Sequence, residues 1–271
     1  MTDVPVEMLA DGNAIPTLGL GVWQVGEGRE CVDAVTWALE LGYRHIDTAQ
    51  GYGNESSVGE ALSRSGLRRE DVFVTTKFYP GSADPAAELE GSLRRLRLDY
   101  VDLYLVHWPQ GGATWAWPGM EQARARGHTR SIGVSNFDVE ELAQVMAVAT
   151  SKPVVNQIQL SPFNQRRALV DEGRRLGLLP EAYSPLGTGR HLSDPRVQPI
   201  ATRLGRSPSQ VLVRWGLQQG FVVLAKSTHR EHLADNAGAL DFTLSDEDLG
   251  ELDDLDRGAS SGVALESKWW P

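Results

Sequence analysis

Three polar residues stand 30 positions apart, each at the end of a short apolar run: Asp47, Lys77 and His107. A βαβ unit takes roughly 30 residues, so the three would occupy equivalent places on neighbouring parallel strands. A fourth residue, Tyr52, lies in a glycine-rich turn shortly after Asp47. A phenol, an ammonium, an imidazole and a carboxylate brought together in this way could transfer a proton to a polarised oxygen.

Reduction of a carbonyl group needs a hydride at carbon and a proton at oxygen, and the proton donor works best with a pKa near the working pH. Free tyrosine titrates near 10, and a neighbouring ammonium would stabilise the phenolate and lower the pKa. Lys77 is placed to act on Tyr52 in this way, and Asp47 would keep Lys77 ionised and oriented. His107 could then hydrogen-bond to the substrate oxygen. The pattern predicts carbonyl reduction with Tyr52 as the proton donor.

Each residue alone has a structural explanation. Tyr52 could be a surface aromatic, Lys77 a solvated charge, Asp47 a cap of the next turn and His107 a core histidine. A metal-dependent isomerase or hydrolase could also use Asp47 and His107 as ligands, but it would need further His or carboxylate ligands at strand ends. The other strand ends offer mostly Lys, Ser, Asn, Gln and Tyr. No metal is predicted.

The elements that would position these residues are eight short apolar runs, most of them followed by helical patterns. Such alternation is typical of βαβ units and a parallel sheet. An eight-stranded (β/α)8 TIM barrel needs about 250 residues, so one domain over residues 1–271 would use nearly the whole chain. The runs are Leu18–Val22, Tyr43–Asp47, Val72–Lys77, Val101–His107, Ser131–Ser135, Val154–Gln159, Leu178–Ser184 and Phe221–Ala225.

Residues 4–16 fall outside the repeat and predict a β-hairpin turning at Asp11-Gly12-Asn13, placed at the bottom of the barrel. The competing architecture is an open doubly wound sheet. Such a sheet usually carries a G-x-G-x-x-G loop after its first strand. Here Gly19-Leu20-Gly21-Val22-Trp23-Gln24 lacks the third glycine, which weakens that alternative.

The net charge of −10 argues against nucleic acid or an anionic membrane as a partner. Cys31 is the only cysteine, which excludes a disulfide within the chain, and its apolar surroundings predict a core position. The sequence shows neither a signal-peptide pattern nor an apolar run long enough to span a bilayer. These features fit a cytoplasmic enzyme.

Five separated motifs carry a family resemblance from Gly19 to about Leu255. The sequence resembles the aldo-keto reductase family, and within it most closely the bacterial 2,5-diketo-D-gluconate reductase group. The motifs are Gly42–Ala49 with Tyr52-Gly53-Asn54-Glu55, Asp102–Pro109, Ser131–Phe137, Val155–Gln159 and Ala182–Gly187.

The resemblance implies a (β/α)8 barrel that binds extended NADPH, with Asp47, Tyr52, Lys77 and His107 as the catalytic tetrad. It implies that Ser135, Asn136 and Gln157 bind the nicotinamide carboxamide and that Tyr183 stacks on the nicotinamide ring. Ser184, Leu186 and Gly187 would line the pyrophosphate. It also leans towards a monomer. A non-catalytic NADPH-binding redox sensor on the same fold remains the alternative, and NADPH consumption with an aldehyde would separate the two.

The part of the sequence that would bind the adenosine end of the cofactor departs from the family pattern. Lys226-Ser227-Thr228 resembles the family's motif for the 2′-phosphate of NADPH, and Asn236 is in place, but His232 stands where an Arg is common. Arginine offers a permanent charge in a planar fork, whereas histidine is mostly neutral at pH 7. We therefore expect NADPH to be preferred less strongly than usual and NADH to be partly accepted.

Four aromatic residues are expected to line the substrate pocket: Trp23, Phe78, Trp108 and Trp117. Trp269 and Trp270 near the C-terminus are further candidates. The segment from Pro109 to Pro118 is short, which predicts an open site for small or varied carbonyl substrates. α-Dicarbonyls, small aldehydes and keto sugars are the expected classes, and no basic cluster points to an acidic substrate.

Overall fold

The computed structural model describes residues 4–80 and 84–258. Trp269 and Trp270 lie outside the described residues. The strands are β1 (Val6–Met8), β2 (Ala14–Pro16), β3 (Leu18–Gly21), β4 (His45–Asp47), β5 (Phe73–Phe78), β6 (Val101–Val106), β7 (Thr129–Ser135), β8 (Val155–Gln159), β9 (Leu179–Tyr183) and β10 (Val222–Ala225).

The helices are α1 (Arg29–Glu40), α2 (Glu55–Arg64), α3 (Pro85–Leu96), α4 (Trp117–Ala125), α5 (Val139–Val148), α6 (Arg167–Arg175), α7 (Val197–Leu204), α8 (Pro208–Gln218), α9 (Arg230–Ala237) and α10 (Asp246–Asp253). Short 3₁₀ turns cover Gln50–Tyr52, Arg69–Asp71, Gly187–Gly189 and Gly238–Asp241. None of the helices in the described part of the chain is long and apolar enough to cross a membrane.

Strands β3 to β10 form a closed parallel barrel in chain order, with β10 pairing to both β9 and β3. The predicted (β/α)8 barrel is therefore confirmed. All residues of β5 and β6 are buried because these strands have the barrel interior on one side and helices on the other. Side chains alternate between these two sides along each strand, so residues two positions apart point to the same side.

The N-terminal hairpin is also confirmed. Strands β1 and β2 pair antiparallel, and Leu9 and Ile15 are buried in an apolar cluster with residues near the strand starts, among them Phe73 and Val154. The side-chain amide of Asn13 donates to the hydroxyl of Ser131 at 3.0 Å. The hairpin thus closes the N-terminal end of the barrel, and the opposite end is left open for a site.

Local sequence signals explain where several helices begin. Asp138 and Ser207 each cap a helix in a capping box, and Asp84 caps α3 just before a proline at its first position. These side chains accept hydrogen bonds from backbone N–H groups that have no partner within the helix.

Candidate active site

Lys77 connects the residues predicted to do the chemistry. Its Nζ lies 2.6 Å from Oδ1 of Asp47, 2.9 Å from the carbonyl oxygen of Thr48 and 3.2 Å from the hydroxyl oxygen of Tyr52. The lysine side chain is fully buried. An ammonium group has three N–H donors, so these three contacts use all of them and fix Nζ beside the phenol.

The turn that carries Tyr52 is held by Asn54, which the sequence did not single out for a role. The Asn54 amide donates to the carbonyl oxygens of Val22 and Val25, both at 2.9 Å, and accepts from the hydroxyl of Thr48. Asn54 is fully buried. It therefore ties the loop after β4 to the loop after β3 and fixes where Tyr52 stands.

The electrostatics keep Tyr52 protonated. Burial raises the pKa of Tyr52, and the charge of Lys77 offsets this only in part. The expected net lowering of that pKa is thus not found in the protein alone. For Lys77, burial alone would lower the pKa, but the attraction of Asp47 and the contacts with Tyr52 outweigh it and raise the pKa. Lys77 is therefore a cation beside a neutral phenol.

His107 follows β6 and stands on the other side of Tyr52. The two rings meet edge to face, with centroids 5.5 Å apart. Burial, reinforced by the charge of Lys77, holds the pKa of His107 well below its usual range. A neutral imidazole can donate one hydrogen bond to a carbonyl oxygen without competing with Tyr52 as the acid.

A cavity of about 610 Å³ begins at these residues and extends over the C-terminal end of the barrel to α9. This volume lies within the usual range for small-molecule sites. The wall includes most of the predicted site residues: Asp47, Tyr52, His107, Ser135, Asn136, Gln157, Tyr183, Ser184, Leu186, Lys226, Ser227, Thr228, His232 and Asn236.

Next to the tetrad, three polar side chains hold one another at the cavity wall. The Asn136 amide donates to the carbonyl oxygen of His107 at 3.1 Å and to the hydroxyl of Ser135 at 3.0 Å. Ser135 donates to the carbonyl oxygen of Gln157, and the hydroxyl of Tyr183 donates to Oδ1 of Asn136 at 2.9 Å. This group offers fixed donors and acceptors, and the Tyr183 ring is anchored through its hydroxyl.

The backbone around the cavity adopts conformations that side chains rarely allow. Of the six non-glycine residues with positive φ in the described part of the chain, four line the cavity: Gln24, Asn136, Ser184 and Thr188. Left-handed backbone costs free energy and tends to cluster at binding sites, where it aims side chains and amides at a ligand. No local sequence pattern predicted these four conformations.

Gly187 differs from the other residues expected at the pyrophosphate. It packs under the cavity wall, where an added Cβ would lie 2.3 Å from Nε2 of His191. The cavity is lined instead by its neighbours Leu186, Thr188 and Gly189. Gly187 thus shapes the loop by permitting close packing.

At the far end of the cavity, Lys226 and the start of α9 supply positive potential. His232 lies edge to face with His229, with ring centroids 5.2 Å apart, and both line the cavity. Arg230 points elsewhere, since its guanidinium pairs with Glu40 at 3.2 Å. A carboxylate, Asp235, also lines this end and accepts hydrogen bonds from Ser207 and Ser209.

Two of the four aromatic residues predicted to line the substrate pocket do not line it. Trp23 and Trp108 line the cavity. Phe78 is fully buried in the core against Trp115, because Lys77 points into the barrel and the next side chain must point to the helices. Trp117 is the first residue of α4, 1% exposed, and its Nε1 donates to the carbonyl oxygen of Ser151 at 3.1 Å. Both aromatics are core residues in this structure.

In the described ranges, no group of three or more His, Cys, Asp or Glu side chains is arranged to hold a metal ion. Sequence reasoning also overlooked Glu181, a buried carboxyl inside the barrel. Its position two residues before Tyr183 on β9 was the signal, because alternation turns both side chains to the same side of the strand.

Comparisons with known proteins agree on one family. The Aldo/keto reductase family model matches residues 17–257. The chain is 44% identical to an aldo-keto reductase of Mycolicibacterium vanbaalenii, covering 94% of this chain and 93% of that one. It is 40% identical to the methylglyoxal reductase DkgA of Escherichia coli strain K12, covering 97% of each.

Two solved structures show how closely the fold is shared. The aldo/keto reductase from Brucella melitensis superimposes with a TM-score of 0.90 at 39% identity, covering 94% of this chain and 99% of that one. The Bombyx mori aldo-keto reductase, solved in complex with NADP, gives a TM-score of 0.87 at 33% identity and covers 94% of each chain.

Proposed function

Because the chain belongs to the aldo/keto reductase family and is therefore an oxidoreductase, we propose that it reduces small aldehydes and ketones with NADPH, with Tyr52 as proton donor. The observation that carries the proposal is the contact of Lys77 with Tyr52 at one end of the cavity. Lys77 donates to the phenol oxygen, so the phenol proton is directed away from Lys77 and can be given to a substrate oxygen.

The cavity wall suits a nicotinamide dinucleotide. Its length from Tyr52 to α9, the polar group of Ser135, Asn136 and Gln157, and the ring of Tyr183 match the parts of that cofactor in order. Lys226 and the N-terminus of α9 would hold the phosphate tail. When bound, the reduced nicotinamide supplies the hydride. His107 would orient the substrate oxygen towards Tyr52.

Small carbonyl compounds are the proposed substrates. Trp23 and Trp108 give the substrate end apolar walls, and this end carries no basic cluster among the cavity residues that the structure describes. One relative bears the name methylglyoxal reductase, which favours α-dicarbonyls within the proposed range. The proposed range of substrates also includes keto sugars and simple aldehydes.

The test is the oxidation of NADPH, followed by absorbance, with methylglyoxal, glyceraldehyde and a keto sugar offered separately. We expect turnover with at least one of them, and unchanged rates after treatment with a chelator. Tight NADPH binding without turnover of any carbonyl compound would contradict the proposal and favour a redox-sensing role.

The cofactor preference forms the second part of the proposal. Among the described residues that line the cavity, Lys226 is the only one with a fixed positive charge, and Arg230 on α9 is paired with Glu40. Asp235 adds a carboxylate at the same end, where it would disfavour a 2′-phosphate. We therefore propose that NADPH is preferred by less than a thousandfold in kcat/KM and that NADH is partly accepted.

A further inference from the structure

Glu181 is a fully buried carboxyl that the tetrad does not include. It lies on β9 and points into the barrel, where its Oε2 accepts a hydrogen bond from Nε2 of Gln157 at 2.9 Å. The same Gln157 nitrogen donates to Oδ2 of Asp47 at 2.8 Å. Gln157 therefore bridges Glu181 to the carboxylate that holds Lys77.

This bridge fixes which way the Gln157 amide faces. The Asp47 carboxylate can only accept hydrogen bonds, so the Gln157 amide atom that contacts it must be the nitrogen, whose two N–H groups go to Asp47 and Glu181. The oxygen of Gln157 is left for the cavity that Gln157 lines. An acceptor at this place complements the NH₂ group of a nicotinamide carboxamide.

The charges in the barrel interior do not balance if Glu181 is ionised. Of the residues that the structure describes, Lys77 is the cation that acts on Glu181, and Asp47 already pairs with it at 2.6 Å. His45 Nε2 lies 3.7 Å from Oε1 of Glu181, but burial lowers the pKa of His45 to about 3 and keeps it neutral. On the neighbouring strand β10, Val222 and Leu224 contribute only apolar side chains.

A proton on Glu181 resolves the imbalance. Burial and the repulsion of Asp47 raise the pKa of Glu181 to about 8. The two ring nitrogens of His45 have other partners: Nδ1 donates to the carbonyl oxygen of Pro16 at 3.4 Å, and Nε2 accepts from the hydroxyl of Thr75 at 3.0 Å. Oε2 of Glu181 accepts from Gln157, and Oε1 has no hydrogen-bond partner within the described residues, so Oε1 is the place for the proton.

We propose that Glu181 is a positioning residue for the cofactor: in its protonated form it clamps the amide of Gln157 together with Asp47, so that Gln157 presents its oxygen to the nicotinamide carboxamide. The proposal rests on the proposed function. Loss of the proton places a second negative charge beside Asp47, and the repulsion between the two carboxylates opposes their shared contact with the Gln157 nitrogen. That charge also raises the pKa of Tyr52 and makes the phenol a weaker acid.

Two variants and a control test this role. Glu181→Gln keeps an acceptor for Gln157 and is uncharged at every pH, which reproduces the protonated carboxyl. Glu181→Leu removes the acceptor at similar volume. Asp102→Asn is the control, since Asp102 is a buried carboxyl on β6 that pairs with Arg69, near the closed end of the barrel.

The first readout is the Kd of NADPH, measured by quenching of tryptophan fluorescence from pH 6 to pH 10. We expect the wild type and Asp102→Asn to lose affinity at least fivefold as pH rises through about 8. Glu181→Gln should bind within threefold of the wild type at pH 6 and show no such loss. Glu181→Leu should bind at least tenfold more weakly at every pH.

The second readout is the pH profile of kcat/KM, whose alkaline decline near pH 8 should disappear in Glu181→Gln. The proposal is overturned if Glu181→Gln keeps the wild-type inflection in Kd, or if folded Glu181→Leu binds NADPH as the wild type does. If Glu181→Leu does not fold, the Glu181→Gln series decides alone. A wild type that binds NADPH but reduces no carbonyl compound refutes the proposed function, while the Kd series still decides the role of Glu181.

Discussion

At the scale of single residues, the direction of one proton decides the proposed chemistry. Lys77 donates to the oxygen of Tyr52, and its other two N–H groups are held by Asp47 and Thr48. Tyr52 accepts from Lys77 and cannot also donate to it. The hydroxyl proton is therefore available to the cavity, which Tyr52 lines.

Tyr52→Phe should remove this proton donor and leave the cavity shape nearly intact. We expect kcat for carbonyl reduction to fall about 10²- to 10⁴-fold, the usual contribution of a general acid. The Kd of NADPH should stay within threefold of the wild type. Steady-state rates and fluorescence titration measure both quantities.

Tyr100→Phe is the matched control, because it removes a hydroxyl that bonds to Arg130 outside the cavity. Its rates should equal those of the wild type. A Tyr52→Phe enzyme with near wild-type turnover would show that another group supplies the proton.

His232→Arg should strengthen the preference for NADPH over NADH. A guanidinium adds a permanent charge and a planar fork at the end of the cavity that Lys226 lines. We expect the ratio of the two kcat/KM values to rise about tenfold, equivalent to about 1.4 kcal/mol. Arg230→Gln serves as the control, since Arg230 pairs with Glu40, and it should leave the ratio within twofold. An equal ratio in His232→Arg would show that position 232 does not reach the 2′-phosphate.

Sequence reasoning at this scale succeeded where spacing carried the information. The 30-residue interval brought Asp47, Lys77 and His107 to neighbouring strand ends, and the structure places them around one cavity mouth. It failed where the direction of a side chain mattered. Side-chain alternation places Phe78 on the opposite side of its strand from Lys77, and Glu181 on the same side as Tyr183. The prediction instead placed Phe78 in the pocket because it is aromatic, and it overlooked Glu181 as an acid within an apolar strand.

At the scale of elements, the packing of α2 against α3 depends on one glycine. A Cβ built at Gly59 would lie 2.2 Å from the carbonyl oxygen of Leu96, which belongs to the backbone of α3 and cannot move alone. The two helices can approach this closely only because position 59 lacks a side chain. The α2 helix begins directly after the Tyr52 turn, so its placement also matters for the site.

Gly59→Ala should therefore destabilise the protein even though alanine favours helices. We expect a loss of about 1–3 kcal/mol in the free energy of unfolding, the usual cost of overpacking. Gly250→Ala in the exposed part of α10 is the control, because nothing lies within 4 Å of its added Cβ. That change should stabilise the protein by about 0.5–1 kcal/mol. Urea denaturation of both variants measures the contrast, and equal effects would contradict the close packing.

Elements were predictable in number and order but not in their contacts. The alternation of apolar runs and helical patterns indicated all eight barrel strands, because each of them carries its own apolar run, and the turn signal Asp11-Gly12-Asn13 indicated the hairpin. The close approach of α2 and α3 was not predictable, since it joins positions 59 and 96 through the tertiary packing. The left-handed backbone conformation of Asn136 and Ser184 was not predictable for the same reason.

At the scale of the whole molecule, the barrel interior near the site is polar, and this makes stability depend on pH. The folded protein binds a proton on Glu181 up to about pH 8, whereas the unfolded chain releases it near the ordinary value of 4.5. Its contribution to stability is fully present below 4.5 and is lost as pH rises through the folded pKa. Burial lowers the pKa of His45 to about 3, of His191 to about 4 and of His107 well below its usual range, and these three histidines act in the opposite direction.

Between pH 6.5 and pH 8, proton release from Glu181 should lower the free energy of unfolding of the wild type by about 2 kcal/mol relative to Glu181→Gln, at about 1.4 kcal/mol per pH unit. Glu181→Gln cannot release this proton but keeps the same histidines, so the difference between the two proteins isolates the effect of Glu181. Asp102→Asn keeps Glu181 and should follow the wild type. Urea denaturation across this range measures all three proteins without cofactor. Parallel slopes for the wild type and Glu181→Gln would mean that Glu181 is already ionised at pH 6.5, and the charge balance inferred for the barrel interior would then be wrong.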